Sequence, residues 1–137
     1  MATGSPNFAI TPVLGVGLVG GTGDTSLTAP THGVTILSGG TSGTRIERIV
    51  FCAAGTTTAT SIRLFIYNGT TYSLWYEGIV PANTITAGSN TAWQTTLEAV
   101  TTPYFMPLLL PNGSSLVGTC NDTQTPGINV FAIGGNF

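Results

Sequence analysis

The stretch GVGLVG, Gly15 to Gly20, matches the G-x-G-x-x-G pattern that can bind the pyrophosphate of a dinucleotide. Such a site needs a helix directly after the glycines, because the helix N-terminus holds the phosphates. The residues that follow, GTGDTSLTAPTHG, are rich in turn formers and lack the apolar spacing of a helix. An acidic residue about 20 positions on, which would bind the ribose, is also missing. We therefore interpret the stretch as extended chain and expect no cofactor.

Side chains that could act as an acid, a base or a nucleophile are few. The single histidine, His32, lies in a Gly-, Pro- and Thr-rich loop, where a solvated histidine is the simpler interpretation. The chain has no lysine and no G-x-S-x-G motif, so it lacks the residues for Schiff-base chemistry and for a hydrolase elbow. A glycosidase would need two facing carboxylates, for which Glu47, Glu77 and Glu98 are the candidates. We expect no enzyme activity.

Metal-binding and redox chemistry have equally little support. The His, Cys, Asp and Glu residues do not cluster, and a calcium site near Asp24 or Asp122 would usually require more carboxylates. Cys52 and Cys120 lie in apolar, strand-like stretches. Because cysteine is often buried, we interpret both as reduced core residues rather than as a disulfide. No metal site is expected.

Charge is unusually scarce in this chain of 137 residues, which has the length of one domain. Only 6% of the residues are charged, with a net charge of −2, so Thr, Ser, Asn and Gly must supply the polar surface. Such a surface suits a protein that packs against neighbours or a monomer with a neutral coat. Three arginines are too few for nucleic-acid binding. No apolar run approaches the roughly 18 residues of a membrane span, and no secretion signal is visible.

From residue 34 onward, short apolar runs alternate with turn residues, which predicts an all-β, antiparallel sandwich or jelly roll over residues 34–137. Asn68-Gly69 predicts a hairpin with a type I′ turn. Residues 1–33 are interpreted as an extended glycine-rich N-terminal arm that docks on this domain or on a neighbouring molecule. Its candidate contacts are Phe8, Ile10, Val13, Leu14, Val16, Leu18 and Val19.

The hairpin carries bulky residues on both faces. With a period of two, Arg63, Phe65 and Tyr67 lie opposite Ile62 and Leu64, and residues 72 to 77 should alternate in the same way. The second face is therefore covered by the arm, by another strand layer or by a second subunit. Arg63 is expected to pair with Glu77 or to stack on Tyr67. Candidate subunit-interface residues are Arg45, Glu47, Arg48, Arg63, Phe65, Tyr67, Tyr72 and Trp75.

Several strand-and-turn motifs over residues 34–137 resemble those of small virion proteins of tailed bacteriophages. The motifs are the strand GTRIERI, the turn AAGTTTA, the hairpin RLFIYNGTTY and the glycine-rich VFAIGGNF. The resemblance implies a capsid decoration (cement) protein of β-sandwich or jelly-roll type. Such proteins are usually trimeric and bind the major capsid protein on the outer surface of the virion, after synthesis in the host cytoplasm. No catalytic residues are implied.

Two alternatives stay open at the level of sequence. One is a tail or receptor-binding component of the virion, and the other is a carbohydrate-binding β-sandwich module. Trp75 and Trp93 would then form an exposed aromatic platform for sugars. If the aromatic residues are buried between subunits instead, a cement protein is favoured.

Overall fold

The structure, a computed structural model, describes residues 11–98 and 106–137. It confirms the predicted all-β class, because the described residues form strands and turns and no helix. The strands are β1 (Thr11–Val19), β2 (Val34–Ser38), β3 (Thr44–Ala53), β4 (Thr60–Tyr67), β5 (Tyr72–Val80), β6 (Gln94–Glu98), β7 (Leu108–Leu110), β8 (Ser115–Cys120) and β9 (Ile128–Asn136).

These strands form two antiparallel sheets that pack face to face. Sheet A has the order β1-β9-β3-β6, and the short β7 pairs with β3 beyond the end of β6. Sheet B has the order β2-β8-β4-β5. When β6 and β7 are taken as one edge, there are eight strand positions, and the chain crosses repeatedly between the sheets. This connectivity is that of a jelly roll.

The core lies between the sheets and is formed by the inward residues of both. Ile49 and Phe51 of sheet A and Ile62 and Leu64 of sheet B are all 0–1% exposed. Outside the β-bulges, the strands contribute every second residue, because successive side chains of a strand point to opposite faces. Each sheet therefore also has an outer face, directed away from the core, which must be wet or covered.

Residues 11–19 belong to the sandwich, so the predicted boundary at residue 34 is corrected. All of β1 pairs with β9 as the edge strand of sheet A. The glycines face inward: a Cβ on Gly15 would meet the carbonyl oxygen of Ile36 and lie 2.7 Å from Leu37 Cβ. Glycine thus lets β1 approach β2 of the other sheet closely. The alternation of glycine with leucine or valine is therefore the period-two pattern of a strand and does not indicate a flexible arm.

The hairpin predicted at Asn68-Gly69 is present, but its turn is not type I′. A four-residue loop joins β4 to β5, and within it only Gly69 has a positive φ, of 97°. The Asn68 side-chain oxygen accepts the backbone N–H groups of Thr70 (3.0 Å) and Thr71 (2.8 Å). The asparagine side chain therefore closes the turn, so its own backbone does not need the left-handed conformation.

A β-bulge in β5 breaks the alternation predicted for residues 72 to 77. Leu64 pairs with Tyr76, whereas the next residue, Phe65, pairs with Leu74. Trp75 is the extra residue, and both Trp75 and Tyr76 pack against the core. The prediction of strict alternation was wrong here because a bulge shifts the period by one residue.

Candidate functional site: the outer face of sheet A

The outer face of sheet B is apolar at its centre and is covered by the chain itself. Phe65 and Val117 are paired across β4 and β8 and are only 0% and 3% exposed. Residues 20–33 join β1 to β2 and lie over this face, and we call them the covering link. Their closeness to the sheet is shown by Gly33, where a Cβ would be 2.6 Å from Val117 Cγ1. The second face of the hairpin was expected to be covered by the arm, by another strand layer or by a second subunit. In the structure it is covered by the N-terminal segment of the same chain.

The covering link is anchored by Asp24, a buried carboxylate. Its Oδ1 accepts the N–H of Ser26 (3.0 Å), and its Oδ2 accepts those of Thr31 (2.7 Å) and His32 (2.8 Å). Burial acts to raise the pKa of Asp24, but these three donors and the adjacent His32 outweigh it and hold the pKa below its usual value. The carboxylate is thus engaged in closing the loop.

Arg63, on β4 of sheet B, connects that sheet to the covering link through hydrogen bonds. Its side chain is 8% exposed, and its Nε donates to Glu77 Oε2 at 2.6 Å, which confirms the predicted pair. The two terminal nitrogens donate to the backbone carbonyl of Asp24 (3.2 Å) and to Asn121 Oδ1 (3.0 Å). Arg63 and Phe65 were both candidate subunit-interface residues, and the structure buries both within one chain.

The outer face of sheet A is different, because the part of the chain that the structure describes does not cover it. Its side chains change from apolar on β1 to polar on β6. In register from β1 to β6, the rows are Leu14–Ile133–Arg48–Glu98, Val16–Phe131–Val50–Thr96 and Leu18–Asn129–Cys52–Gln94.

We call the β1 and β9 part of this face the apolar strip and define it as Leu14, Val16, Leu18, Phe131 and Ile133. Four of its residues are well exposed, at 61% for Leu14, 50% for Val16, 47% for Leu18 and 40% for Ile133, and Phe131 is half-buried. Single exposed apolar residues are common on proteins, whereas a contiguous strip on one sheet face is a candidate interaction surface.

Beside the strip, the charged residues of β3 are neutralised locally. Arg48 Nε lies 3.2 Å from Glu98 Oε2 on the neighbouring strand, and Arg45 pairs with Glu47. A shallow cleft of ≈ 460 Å³ at the end of this face is lined by Ser42, Arg45, Leu109 and Phe137. The two ion pairs leave this part of the face without net charge.

The remaining predicted interface residues lie on sheet B, away from the strip. Tyr67 and Tyr72 stack with ring centroids 4.4 Å apart near the end of the hairpin, and both are partly exposed. Trp75 packs against the core and is also partly exposed. The structure therefore does not join these three residues to Arg45, Glu47 and Arg48 in one surface.

GVGLVG provides no phosphate site in the structure. Gly15 and Gly17 lie within an edge strand, and Gly20 forms the turn that follows, with φ of 90°. The glycines serve close packing of the two sheets: a Cβ on Gly17 would lie 3.0 Å from Val34 Cγ1. His32 lies in the covering link, with a side chain 53% exposed and Nδ1 3.9 Å from Asp24 Oδ2.

The three glutamates that were candidates for a glycosidase site are each paired with an arginine, and they do not all lie on the same sheet. Glu47, Glu77 and Glu98 each contact an arginine, and Glu77 lies on sheet B whereas the other two lie on sheet A. Over residues 11–98 and 106–137, no three His, Cys, Asp or Glu residues are grouped as a metal site would require.

The two cysteines lie in different environments. Cys120 is buried in the core, as predicted, and burial raises the pKa of its thiol to about 12, so the thiolate is scarce. Cys52 was also predicted in the core but faces outward on sheet A and is partly exposed. The alternation of β3 explains the difference, because the neighbouring Phe51 occupies the inward position.

Part of the apolar strip could be identified from the sequence, and part could not. Leu14, Val16 and Leu18 were predicted to dock on a surface, although as an arm rather than a strand. Phe131 and Ile133 were missed. The available signal was that β9 is apolar at both alternating sets of positions, since Ile128, Val130 and Ala132 face the core. A strand that is apolar on both faces predicts a covered sheet. Phe8 and Ile10 lie outside the described residues.

Helices long and apolar enough to cross a membrane are absent from the described residues. Comparison of the chain with protein-family models, with curated proteins and with solved structures finds no match in any of the three.

Proposed function

We propose that this chain is a non-enzymatic structural protein of a tailed-phage virion. In this proposal it is a cement protein that binds the outer surface of the capsid as a trimer, at junctions between subunits of the major capsid protein. The observation that carries the proposal is the apolar strip on an otherwise nearly uncharged sandwich. The strand-and-turn resemblance to small virion proteins supports the phage setting.

The size of the strip favours a protein that works in an assembly. Complete burial of one Leu, Val or Ile side chain contributes about 1.5–3 kcal/mol. Leu14, Val16, Leu18 and Ile133 are each 40–61% exposed, so covering all four would contribute about 3–6 kcal/mol. Association itself costs about 4–15 kcal/mol, so a single contact of this kind is weak. Contacts repeated around a closed ring and across a lattice make it strong.

Co-sedimentation with capsid shells tests the proposal. Shells are assembled from the major capsid protein of the phage that encodes this chain and are mixed with increasing concentrations of the purified full chain. We expect the chain to pellet with the shells, to saturate at a constant number of copies per shell, and to raise the temperature at which the shells disassemble. Stabilisation follows because a ligand that binds only the assembled state shifts the equilibrium toward it.

Unassembled major capsid protein provides the control, since it lacks the junctions between subunits. It should neither bind the chain nor compete for it. If the chain does not pellet with shells at free concentrations up to about 100 µM, where even a weak specific contact would be occupied, the cement role is contradicted.

The stacked Tyr67–Tyr72 pair, partly exposed at the hairpin, favours a second candidate: a tail or receptor-binding component, or a carbohydrate-binding module. Aromatic faces of this kind can line ligand sites. Immobilised cell-wall polysaccharide of the host would then retain the chain, and Tyr72→Ala would abolish retention. Trp75 and Trp93 support this candidate less, because both pack against the core.

A further inference from the structure

Two Asn-Gly pairs, Asn68-Gly69 and Asn112-Gly113, lie in exposed turns at the same end of sheet B. The turns are neighbours, because a Cβ on Gly69 would be 3.6 Å from the carbonyl oxygen of Gly113. An asparagine followed by glycine can lose its side-chain amide, since glycine has no Cβ that would keep its backbone nitrogen away from the asparagine side chain. By local sequence the two pairs are equally suited to this reaction.

The reaction is an intramolecular substitution that needs no reactant besides water. The backbone nitrogen of the glycine forms a bond to the asparagine Cγ, the Cγ–Nδ2 bond breaks, and Nδ2 leaves as ammonia after receiving, through water, the proton that the backbone nitrogen loses. Water then opens the five-membered succinimide at either carbonyl carbon, which gives aspartate or isoaspartate. Ring closure requires the backbone to rotate and the side chain to leave its hydrogen bonds, so the rate depends on the local structure.

Asn68 is held in place by its own turn. Its Oδ1 accepts the N–H of Thr70 (3.0 Å), the hydroxyl of Thr70 (3.1 Å) and the N–H of Thr71 (2.8 Å). Its backbone N–H donates to the carbonyl oxygen of Thr71 (3.2 Å), and the hydroxyl of Tyr67 donates to the carbonyl oxygen of Gly69 (2.9 Å). Several of these bonds must break before the Gly69 nitrogen can close a ring on Asn68.

Asn112 lies in a much less constrained turn, which joins β7 to β8. The exposed Asn112 side chain makes no hydrogen bond within the part of the chain that the structure describes. The turn itself is closed by one bond, from the N–H of Ser114 to the carbonyl oxygen of Pro111 (3.1 Å). A Cβ on Gly113 would meet no atom within 4 Å, so the turn has space to change conformation. Local opening therefore costs less at Asn112 than at Asn68.

We propose that Asn112 is a site of spontaneous deamidation in the folded chain, whereas the hydrogen bonds of its turn protect Asn68. The modification adds one carboxylate to a chain with few charged residues and changes the net charge from −2 to −3. Isoaspartate also lengthens the main chain by one carbon, directly beside the hairpin loop at Gly69. The inference goes beyond the proposed function and does not depend on it.

Mass spectrometry of the full chain tests the inference after incubation at mildly alkaline pH, where the glycine nitrogen loses its proton more readily. Cleavage after glutamate puts Asn68 in peptide 48–77 and Asn112 in peptide 99–137, and fragmentation of each peptide locates the modified residue. The rate at Asn112 should exceed the rate at Asn68 by about tenfold or more, which corresponds to about 1.4 kcal/mol. In urea the two rates should become similar, because unfolding removes the hydrogen bonds that protect Asn68.

Asn112→Gln is the matched control, because glutamine would have to close a larger, six-membered ring. This variant should lose the modification at residue 112 and leave the rate at Asn68 unchanged. Equal rates at Asn68 and Asn112 in the folded chain overturn the inference, as does a faster reaction at Asn68. If Asn112 reacts faster by the same factor in urea, the local sequence sets the difference and the protection by the fold is contradicted.

Discussion

The two outer faces of this sandwich carry similar apolar residues but differ in what covers them. On sheet B, Phe65 and Val117 are buried beneath residues 20–33. On sheet A, Val16 and Phe131 occupy the same kind of position, paired across neighbouring strands, and Val16 remains half exposed. The same chemistry therefore serves two purposes: folding of the single chain on sheet B and, as we propose, assembly with other molecules on sheet A.

Chain connectivity explains the difference. The link between β1 and β2 must pass from the edge of sheet A to the edge of sheet B, and its 14 residues, 20–33, are enough to cross the outer face of sheet B. Asp24 and Arg63 then hold it in place. An apolar outer face alone therefore does not identify an interface, because the chain's own loops can cover it. Exposure in the folded chain is the deciding observation.

The largest expected effect comes from truncating one aromatic ring on each face. Phe65→Ala should lower the free energy of unfolding by about 3–5 kcal/mol, because it empties a fully buried site beneath the covering link. Phe131→Ala should cost about 1–2 kcal/mol, because Phe131 is only partly buried in the single chain. Urea denaturation measures both losses, at protein concentrations over which the midpoint does not change, so that association does not contribute. Equal losses for the two variants would contradict the distinction between a covered and an uncovered face.

A smaller effect is expected from the two arginines. Arg63→Ala should lower the free energy of unfolding by about 3 kcal/mol, because Glu77, Asn121 and the Asp24 carbonyl all lose a charged donor. Arg48→Ala removes an exposed ion pair on sheet A and should cost less than about 1 kcal/mol. The same denaturation experiment compares them. A larger loss for Arg48→Ala would show that the ion pairs of sheet A hold the fold together.

A further modest effect, which depends on pH, concerns the anchor of the covering link. Asp24→Asn should cost about 1 kcal/mol at pH 7, because the amide keeps one acceptor oxygen and loses the charge that strengthens three N–H bonds. The folded chain binds the Asp24 proton less readily than the unfolded chain, since its pKa is lowered on folding. This stabilisation is therefore present above the unfolded value of about 3.9 and is lost as pH falls through the folded pKa.

Denaturation curves from pH 7 to pH 2 measure this dependence. The difference in stability between wild type and Asp24→Asn should be constant near neutral pH and should shrink below about pH 4. If the difference stayed constant down to pH 2, Asp24 would not be the titrating anchor of the link. Phe131→Ala, which removes no charged group, provides a control whose difference from wild type should stay constant over this pH range.

Most strands could be predicted from local patterns, because period-two alternation and turn residues are local properties. β2 begins at residue 34, where the sequence indicated that the strand pattern starts, and Asn68-Gly69 placed the hairpin. Two local errors have physical causes. The Asn68 side chain made a four-residue loop stable, and the bulge at Trp75 moved Tyr76 onto the core face.

The candidate site was harder to predict, because its residues come from distant parts of the chain. Leu14 and Ile133 are neighbours only through the pairing of β1 with β9. The glycines of β1 suggested flexibility, and only the nearness of Ile36 and Leu37 reveals that they are packing positions. Likewise, Arg63 and Phe65 were reasonable interface candidates until residues 20–33 were seen to cover them.

The sequence by itself determined the all-β class, the position of the hairpin and a nearly uncharged surface, since these follow from residue type and short-range alternation. Only the tertiary structure decided which apolar residues face water. That outcome depends on strand order and on which loop crosses which face, and both are set by contacts between residues far apart in the chain. The apolar strip is therefore a property of the folded sandwich, although each of its residues can be read in the sequence.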